Sequence, residues 1–334
     1  MRWKGKMAVL LVVVVSLYFS ITVLFKTTAN PPTHSDLRRF TSSTVSRNIP
    51  SFLIHPQQKC FKECVNDTVI LVLSKASHRL RRRDIRQTWG NLEMQKKYNL
   101  CLNFLVGIDE NVSLSIENDD YGDIIQVDIE ESYYNLTDKT IAAFRWMAQF
   151  CSEARFFFKV DDDVFVNIAN LQAIQLKYNK LLDDEHILGA CSHFDLPWRT
   201  ASKWHVSFEQ YPFETYPPFC FGPGYLMTSH TACRIYEEML HTTIFKLEDV
   251  YVGMVAYRIG IHVHNVENFL RDFRLNPLTG WIWKHFYMQC TVVLHYVTPA
   301  QIQELWNERH EHRCNIEQCS IWRKASCIFR VYRL

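Results

Sequence analysis

The sequence lacks an excess of charge of either sign: 37 lysines and arginines stand against 35 aspartates and glutamates. A phosphate backbone demands a dense basic face, so no nucleic acid is expected as a partner. The chain also lacks an internal repeat and a Ser–His or Cys–His pattern that would carry a covalent intermediate. What it has is bulk. With 48% hydrophobic and 14% aromatic residues it can bury a sizeable core and is not globally disordered.

Met7 to Phe25 reads MAVLLVVVVSLYFSITVLF, nineteen residues without a charge. As a helix this run would span roughly 28 Å, close to the ~30 Å hydrocarbon core of a bilayer. It exceeds the apolar core of a cleaved signal peptide and no A-x-A-like site follows it, so an uncleaved anchor is expected. Arg2, Lys4 and Lys6 keep the short N-terminal side cytoplasmic; Lys26, Arg38 and Arg39 dilute that asymmetry without cancelling it. The rest of the chain is then lumenal or extracellular. Acceptor sequons for N-glycosylation at Asn66, Asn111 and Asn135 all lie beyond the anchor. The 11 cysteines suit an oxidising compartment, and their odd number leaves at least one unpaired or bonded to another chain.

The expected organisation is a cytoplasmic tail at 1–6, an anchor at 7–25, a stem at 26–59 and a single lumenal domain at 60–334. The stem is rich in Thr, Ser and Pro and has no sustained period, which predicts an extended segment. The domain opens as α/β. Val69–Leu73, Leu102–Val106, Ile124–Val127 and Arg155–Val160 read as strands. Helices are expected around Arg82–Trp89, after Asn135, and over Asn167–Leu182. Asn135 with Asp138 has capping-box spacing, and Phe144, Met147, Ala148 and Cys151 form a core-facing stripe on the helix that follows. Such alternation predicts a mostly parallel sheet covered on both faces.

KVDDDVFVN, Lys159 to Asn167, puts three carboxylates at the end of an apolar strand, where open α/β sheets bind ligands. Crowded carboxylates repel, so a cation should hold them, and Asp161 and Asp163 can face one hard ion. The plainer reading is a solvated acidic turn ahead of the next helix. An EF-hand is excluded, because Val166 and Gln172 stand where that loop needs its glycine and its last glutamate. LEDVYVG, Leu247 to Gly253, carries a second acidic pair, Glu248–Asp249, before apolar residues at helical spacing (Val252, Val255, Ala256, Ile259). Acids in a first helical turn favour the macrodipole and need no function. Between these motifs, YPPFCFGPGYLMT forces a turn at Gly222–Pro223–Gly224 and lets backbone approach a ligand or a neighbouring segment. The basic run His78 to Arg86 is either a solvated face or a neutraliser of a diphosphate. The tail from Arg309 to Cys319 has zinc-ligand residue types in His310, His312, Cys314 and Cys319, but disulfide-bonding cysteines among surface histidines suit the compartment better.

RRRDIRQTWG, YGDIIQVDIEESYYNLTDKT, KVDDDVFVN, YPPFCFGPGY and LEDVYVG occur in the order and spacing of the β1,3-galactosyltransferase-like enzymes, glycosyltransferase family 31. The resemblance runs from about Thr68 to Trp306. It implies a GT-A fold, a Rossmann-like α/β nucleotide half fused to an acceptor half, behind a type II Golgi membrane anchor. The implied reaction is inverting transfer of galactose from UDP-galactose to a 3-hydroxyl of a glycan on a glycoprotein or glycolipid. UDP-GlcNAc or UDP-GalNAc as donor, or an inactive lectin or chaperone, are the alternatives.

The resemblance also assigns residues. Asp161 matches the first acid of the D-x-D motif, near ribose and diphosphate, with Asp162 beside it. Asp163 and His295 are the implied ligands of a divalent metal, manganese. Asp249 is the implied catalytic base, with Glu248 alongside. Arg82, Arg86 and Lys139 fall to the donor site, and Trp204, Gly222 and Gly224 to the acceptor side. Inversion in one displacement needs one base and no protein nucleophile, which accounts for the missing nucleophile pattern. Two positions depart from the pattern: Phe221 stands where relatives carry Ser or Gly, predicting a narrower pocket beside the turn, and Val160 replaces a common Thr.

Overall fold

A computed structural model describes residues 31–41, 49–56, 68–270 and 291–308. The expected anchor, Asn66 and the histidine- and cysteine-bearing tail lie outside the described residues. Among the described residues, no helix is long and apolar enough to cross a membrane.

The chain runs α1 (His34–Thr41), β1 (Phe52–Ile54), β2 (Thr68–Ser74), α2 (Arg79–Gln87), α3 (Leu92–Tyr98), β3 (Leu100–Ile108), α4 (Ser115–Tyr121), β4 (Ile124–Glu130) and α5 (Leu136–Phe150). It continues with β5 (Phe156–Asp161), β6 (Val164–Val166), α6 (Ile168–Lys177), α7 (Asn179–Asp183), β7 (His186–Ser192), β8 (Phe219–Thr228), α8 (Ser229–Met239) and α9 (Glu248–Arg258). The last elements are β9 (His262–Asn265), β10 (Phe269–Leu270), β11 (Val293–His295) and α10 (Pro299–Glu308).

The main sheet has eight strands in the order β1-β4-β3-β2-β5-β8-β7-β9. Its centre, β4-β3-β2-β5, is parallel, while β8 runs antiparallel to both β5 and β7. β2 is buried at every residue, as a strand covered on both faces must be. One face packs under α5, α8, α9 and α1; the other under α2, α3, α6 and α10. The mostly parallel, doubly covered sheet expected from the alternation is present.

Several local expectations are corrected. The segment expected to be extended stem supplies α1 and β1. Leu37 is fully buried, His34 stacks on Tyr257 at 4.0 Å, and Arg258 donates to Thr41 Oγ1, so the fold begins well before residue 60. Asn135 does not cap α5: a 3₁₀ turn, Tyr133–Asn135, runs straight into the helix, so its backbone (φ −97°, ψ 8°) is not the extended one a cap needs. Its amide donates instead to Glu130 O at 3.0 Å. The helix expected over Asn167–Leu182 is broken at Tyr178 into α6 and α7, with Asn167 capping α6 by accepting from Asn170 N. On α5, Ala142, Ala143 and Trp146 are buried as well as Phe144 and Met147, so the helix is sunk on more than one face while Ala148 is half-buried.

Gly222–Pro223–Gly224 makes no turn. It lies inside β8, beside a register shift against β7 between Gly189 and Cys191. An irregularity of that kind is where a strand tolerates proline, which has no N–H for the ladder. A disulfide joins Cys191 to Cys220 across the same pair of strands, Cys101 and Cys151 are also disulfide-bonded, and Cys233 is a free thiol.

Candidate active site

Three carboxylates and an imidazole meet at the C-terminal end of β5. Asp161 closes the strand and Asp162 and Asp163 follow in the bend to β6. His295 is far along the chain, yet β11 pairs antiparallel with β6 in a register that sets it opposite Val164. Its Nε2 therefore lies 3.4 Å from Asp163 Oδ1. One ligand atom from each of Asp161, Asp163 and His295 falls within 4.8 Å of the others. Two carboxylate oxygens and an imidazole nitrogen form a donor set that fits a divalent cation of the manganese type. The residues alone put Asp161 and Asp163 on one ion, the resemblance put Asp161 near ribose and diphosphate, and the geometry sets it within reach of both Asp163 and His295.

Charges around the acids are arranged to tolerate them. Burial alone would raise Asp163, but His295 and then Arg81 hold its carboxyl below the usual range. Asp162 is buried and accepts from Ser74 Oγ at 2.7 Å, with His78 Nδ1 at 2.7 Å and Arg81 at 3.4 Å. Asp161 behaves differently: burial first, then Glu248 and Asp163, push it to about 6 despite Lys159.

Lys159 joins this cluster to the second acidic motif. It is completely buried and its Nζ donates to Asp161 Oδ1 (2.8 Å), Gly222 O (2.7 Å) and Glu248 Oε1 (2.9 Å). Three partners satisfy all three ammonium protons. Glu248 is completed by Thr140 Oγ1 at 3.1 Å. A Cβ on Gly222 would run into Glu248 Oε1, so the close approach made by this glycine is to the neighbouring chain.

Asp249 has a different setting. It sits in the first turn of α9, partly buried, accepting from its neighbour Val250 N at 2.9 Å and from the N–H of Gly222. Burial and the adjacent Glu248 raise its carboxyl to about 7, against Val250 N–H and Lys159. A carboxylate poised there can accept a proton near neutral pH. Glu248 is tied instead to Lys159 Nζ and Thr140 Oγ1.

The arginines expected at the donor site are occupied inside the protein. Arg82 is fully buried and uses all five N–H donors: on Glu117 (2.8 and 2.7 Å), Ser74 Oγ (3.1 Å), Lys75 O and Ala76 O (3.0 Å). Arg86 pairs with Glu117 and Asp123 and lies over Tyr121 at 4.0 Å. Together they hold Glu117 below the usual range although burial opposes it. Lys139 is buried against Ser74 O and Glu131. The Ser74–Ala76 loop below Asp162 is thus pinned by Arg82 and Lys139, and Arg81, one residue away, is the arginine that reaches the acids.

Tyr133, just before α5, lies in the fields of Asp249 and Glu248. Its phenol is pushed up to about 12 by burial and those charges. Tyr225 is buried against the same carboxylates, with Lys159 over its ring at 5.5 Å. Phe221 packs edge-on to Phe219 at 5.0 Å. The sequence reading assigned no role to Lys159, Ser74 or Tyr133, and gave His78 and Arg81 only as part of the basic run. Lys159 carried a readable signal, because a lysine following Phe156–Phe157–Phe158 in a covered strand must be paired.

A galactosyltransferase family model matches residues 80–267, which holds β2's following helix through β9, and with them every acid of the cluster. The chain belongs to the galactosyltransferase family. It is 33% identical to the beta-1,3-galactosyltransferase 1 of Homo sapiens over 267 residues, covering 77% of this chain and 78% of that protein. It is 38% identical to the UDP-GalNAc:beta-1,3-N-acetylgalactosaminyltransferase 1 of Mus musculus over 208 residues, 60% of this chain and 62% of that one. Among solved structures, the galactosyltransferase LgtC aligns with 73% of this chain and 97% of its own, at 11% identity and a TM-score of 0.37. Family membership makes the chain a hexosyltransferase.

Proposed function

We propose that this family member is an inverting, metal-dependent β1,3-galactosyltransferase of the GT-A type, moving galactose from UDP-galactose to a 3-hydroxyl of a glycan acceptor. The observation that carries the reading is the pairing of a three-ligand cluster, Asp161, Asp163 and His295, with a separate raised carboxylate, Asp249. A manganese ion held by the three ligands would offset negative charge growing on the departing diphosphate. Asp249 takes the proton of the acceptor hydroxyl as that oxygen bonds to the anomeric carbon. The bond from that carbon to the diphosphate breaks, and UDP leaves with the electron pair. Arg81 and His78 stand where they can balance phosphate charge beside Asp162 and Asp163. Arg82, Arg86 and Lys139 support that loop from beneath.

The sequence adds a setting: a Golgi membrane, with the apolar run at 7–25 as a type II anchor and the catalytic domain lumenal. Asn111, exposed, is the sequon best placed for glycosylation, whereas the Asn135 amide is already engaged with Glu130 O. The relative named for UDP-GalNAc supports a second reading, in which the donor is UDP-GalNAc. A screen of UDP-Gal, UDP-GalNAc and UDP-GlcNAc against mixed acceptors, with linkage analysis of the product, separates the two. Asp163→Ala should fold normally and lose transfer by about 10³-fold or more, since metal stabilisation of the leaving group is worth several kcal/mol. Retained activity in that variant would overturn the metal assignment.

A further inference from the structure

The segment between β7 and β8 exposes two indoles. Trp198 is 55% and Trp204 40% exposed, their rings 6.0 Å apart and inclined at 38°. Tryptophan is usually well buried, and two neighbouring exposed rings mark a surface made for contact. Their place is fixed from three sides. Lys246, three residues ahead of Asp249, donates to His205 O beside Trp204. Lys203 Nζ sits over both Trp204 (4.5 Å) and Tyr133 (5.8 Å). A bridge between Trp198 and His205, with Val206 N donating to Trp198 O at 2.8 Å, closes the loop so that both rings stay on one side. Arg199 anchors it beneath, donating to Val206 O, Ser207 O, Tyr211 O and Phe213 O, each at 2.9 Å.

Tyr133 and Trp204 are thus joined through Lys203, and Trp198 stands next to Trp204, on a loop tied by Lys246 to the segment that leads into Asp249. The C–H face of a pyranose is apolar and flat enough to lie on an indole, while its hydroxyls stay at the rim. One ring would serve the sugar that reacts. A second, further out on a braced loop, has no work to do for a single sugar. We propose that Trp198 forms an outer subsite for the second sugar of the acceptor, so the acceptor is an oligosaccharide end of at least two rings. This rests on the transferase reading above, and extends it from the reacting hydroxyl to the size of the acceptor.

The test uses matched pairs of acceptors, a methyl glycoside and a β-linked disaccharide ending in the same sugar, for galactose, N-acetylgalactosamine and N-acetylglucosamine. Full-length protein is compared with Trp198→Ala and Trp198→Phe, all checked for equal melting temperature. For the pair that is used, the wild type should favour the disaccharide in kcat/KM. Trp198→Ala should cut the disaccharide-to-monosaccharide ratio about tenfold, the scale of one lost aromatic contact, and Trp198→Phe should restore part of it. An unchanged ratio in Trp198→Ala, or a wild type with no preference, overturns the proposal. Quenching of tryptophan fluorescence by the same sugars separates the two readings. Disaccharide binding that depends on Trp198 without transfer sinks the transferase and leaves the subsite standing; no disaccharide binding at all sinks the subsite.

Discussion

Asp163 and Asp249 are the same residue type in one crevice, and their surroundings drive them in opposite directions. Around Asp163 stand His295 and Arg81, and the carboxyl is held below its usual range despite burial. Around Asp249, burial and the carboxylate of Glu248 outweigh Val250 N–H, Lys159 and the helix start, and the group rises to about 7. The first is held toward its ionised form, the form a metal ligand would need. The second can gain and lose a proton near neutrality. Role here is assigned by neighbours, not by the side chain itself.

Removing the proposed base should have the largest effect. Asp249→Asn is expected to lower kcat by about 10²- to 10⁴-fold, the range for a lost general base, while metal-dependent binding of UDP persists. The wild type should carry the matching pH signature. The active form is deprotonated, so log kcat/KM should climb with a slope near one below about pH 7 and level off above it, following the raised carboxyl. Asp249→Asn should flatten that limb. A profile flat from pH 5 to 8 in the wild type would place the base elsewhere.

Lys159 is where the two environments touch, and it tests whether they are independent. Lys159→Met leaves Asp161 and Glu248 facing each other without a counter-charge, which should cost roughly 3–5 kcal/mol in chemical unfolding. Adding Glu248→Gln to that variant should recover part of the loss, because the uncompensated buried charge goes with it. If the double variant is no better than the single, the link between the motifs is not the ion pair drawn at 2.9 Å.

Much of this arrangement was readable and some was not, for physical reasons. The parallel strands announced themselves because a strand covered on both faces is a plain apolar run, as Val69–Leu73 is. The D-x-D acids and Asp249 were visible as charges at the ends of such runs. Their union through His295 was not derivable from the residues alone, since it depends on the register of β11 with β6. Arg82 and Arg86 show what a basic cluster conceals: it reads the same whether it meets a phosphate or an internal Glu117, and here both pair with Glu117. Gly222–Pro223–Gly224 has turn composition, and a register shift in β8 absorbed it. The helix at His34–Thr41 hid in polar sequence because its stability comes from docking Leu37, His34 and Phe40 onto the domain.

The finest test separates the two carboxylates without touching either. Gly253 lies one turn after Asp249 on α9, where the helix meets the start of β8. A methyl group there would collide with the Phe219 side chain and come within 2.8 Å of Pro218 O. A backbone oxygen cannot rotate away, so α9 itself must shift, at a cost of roughly 1–3 kcal/mol for an overpacked site. The Asp161–Asp163–His295 cluster stands on β5 and β11 and is not carried by that helix. Gly253→Ala should therefore lower kcat about tenfold through a displaced base, with the concentration of manganese needed for half-maximal activity unchanged. A parallel loss of metal affinity would mean that the two regions move as one unit, and that the opposed settings of Asp163 and Asp249 are maintained jointly through Lys159 and not separately by their own neighbours.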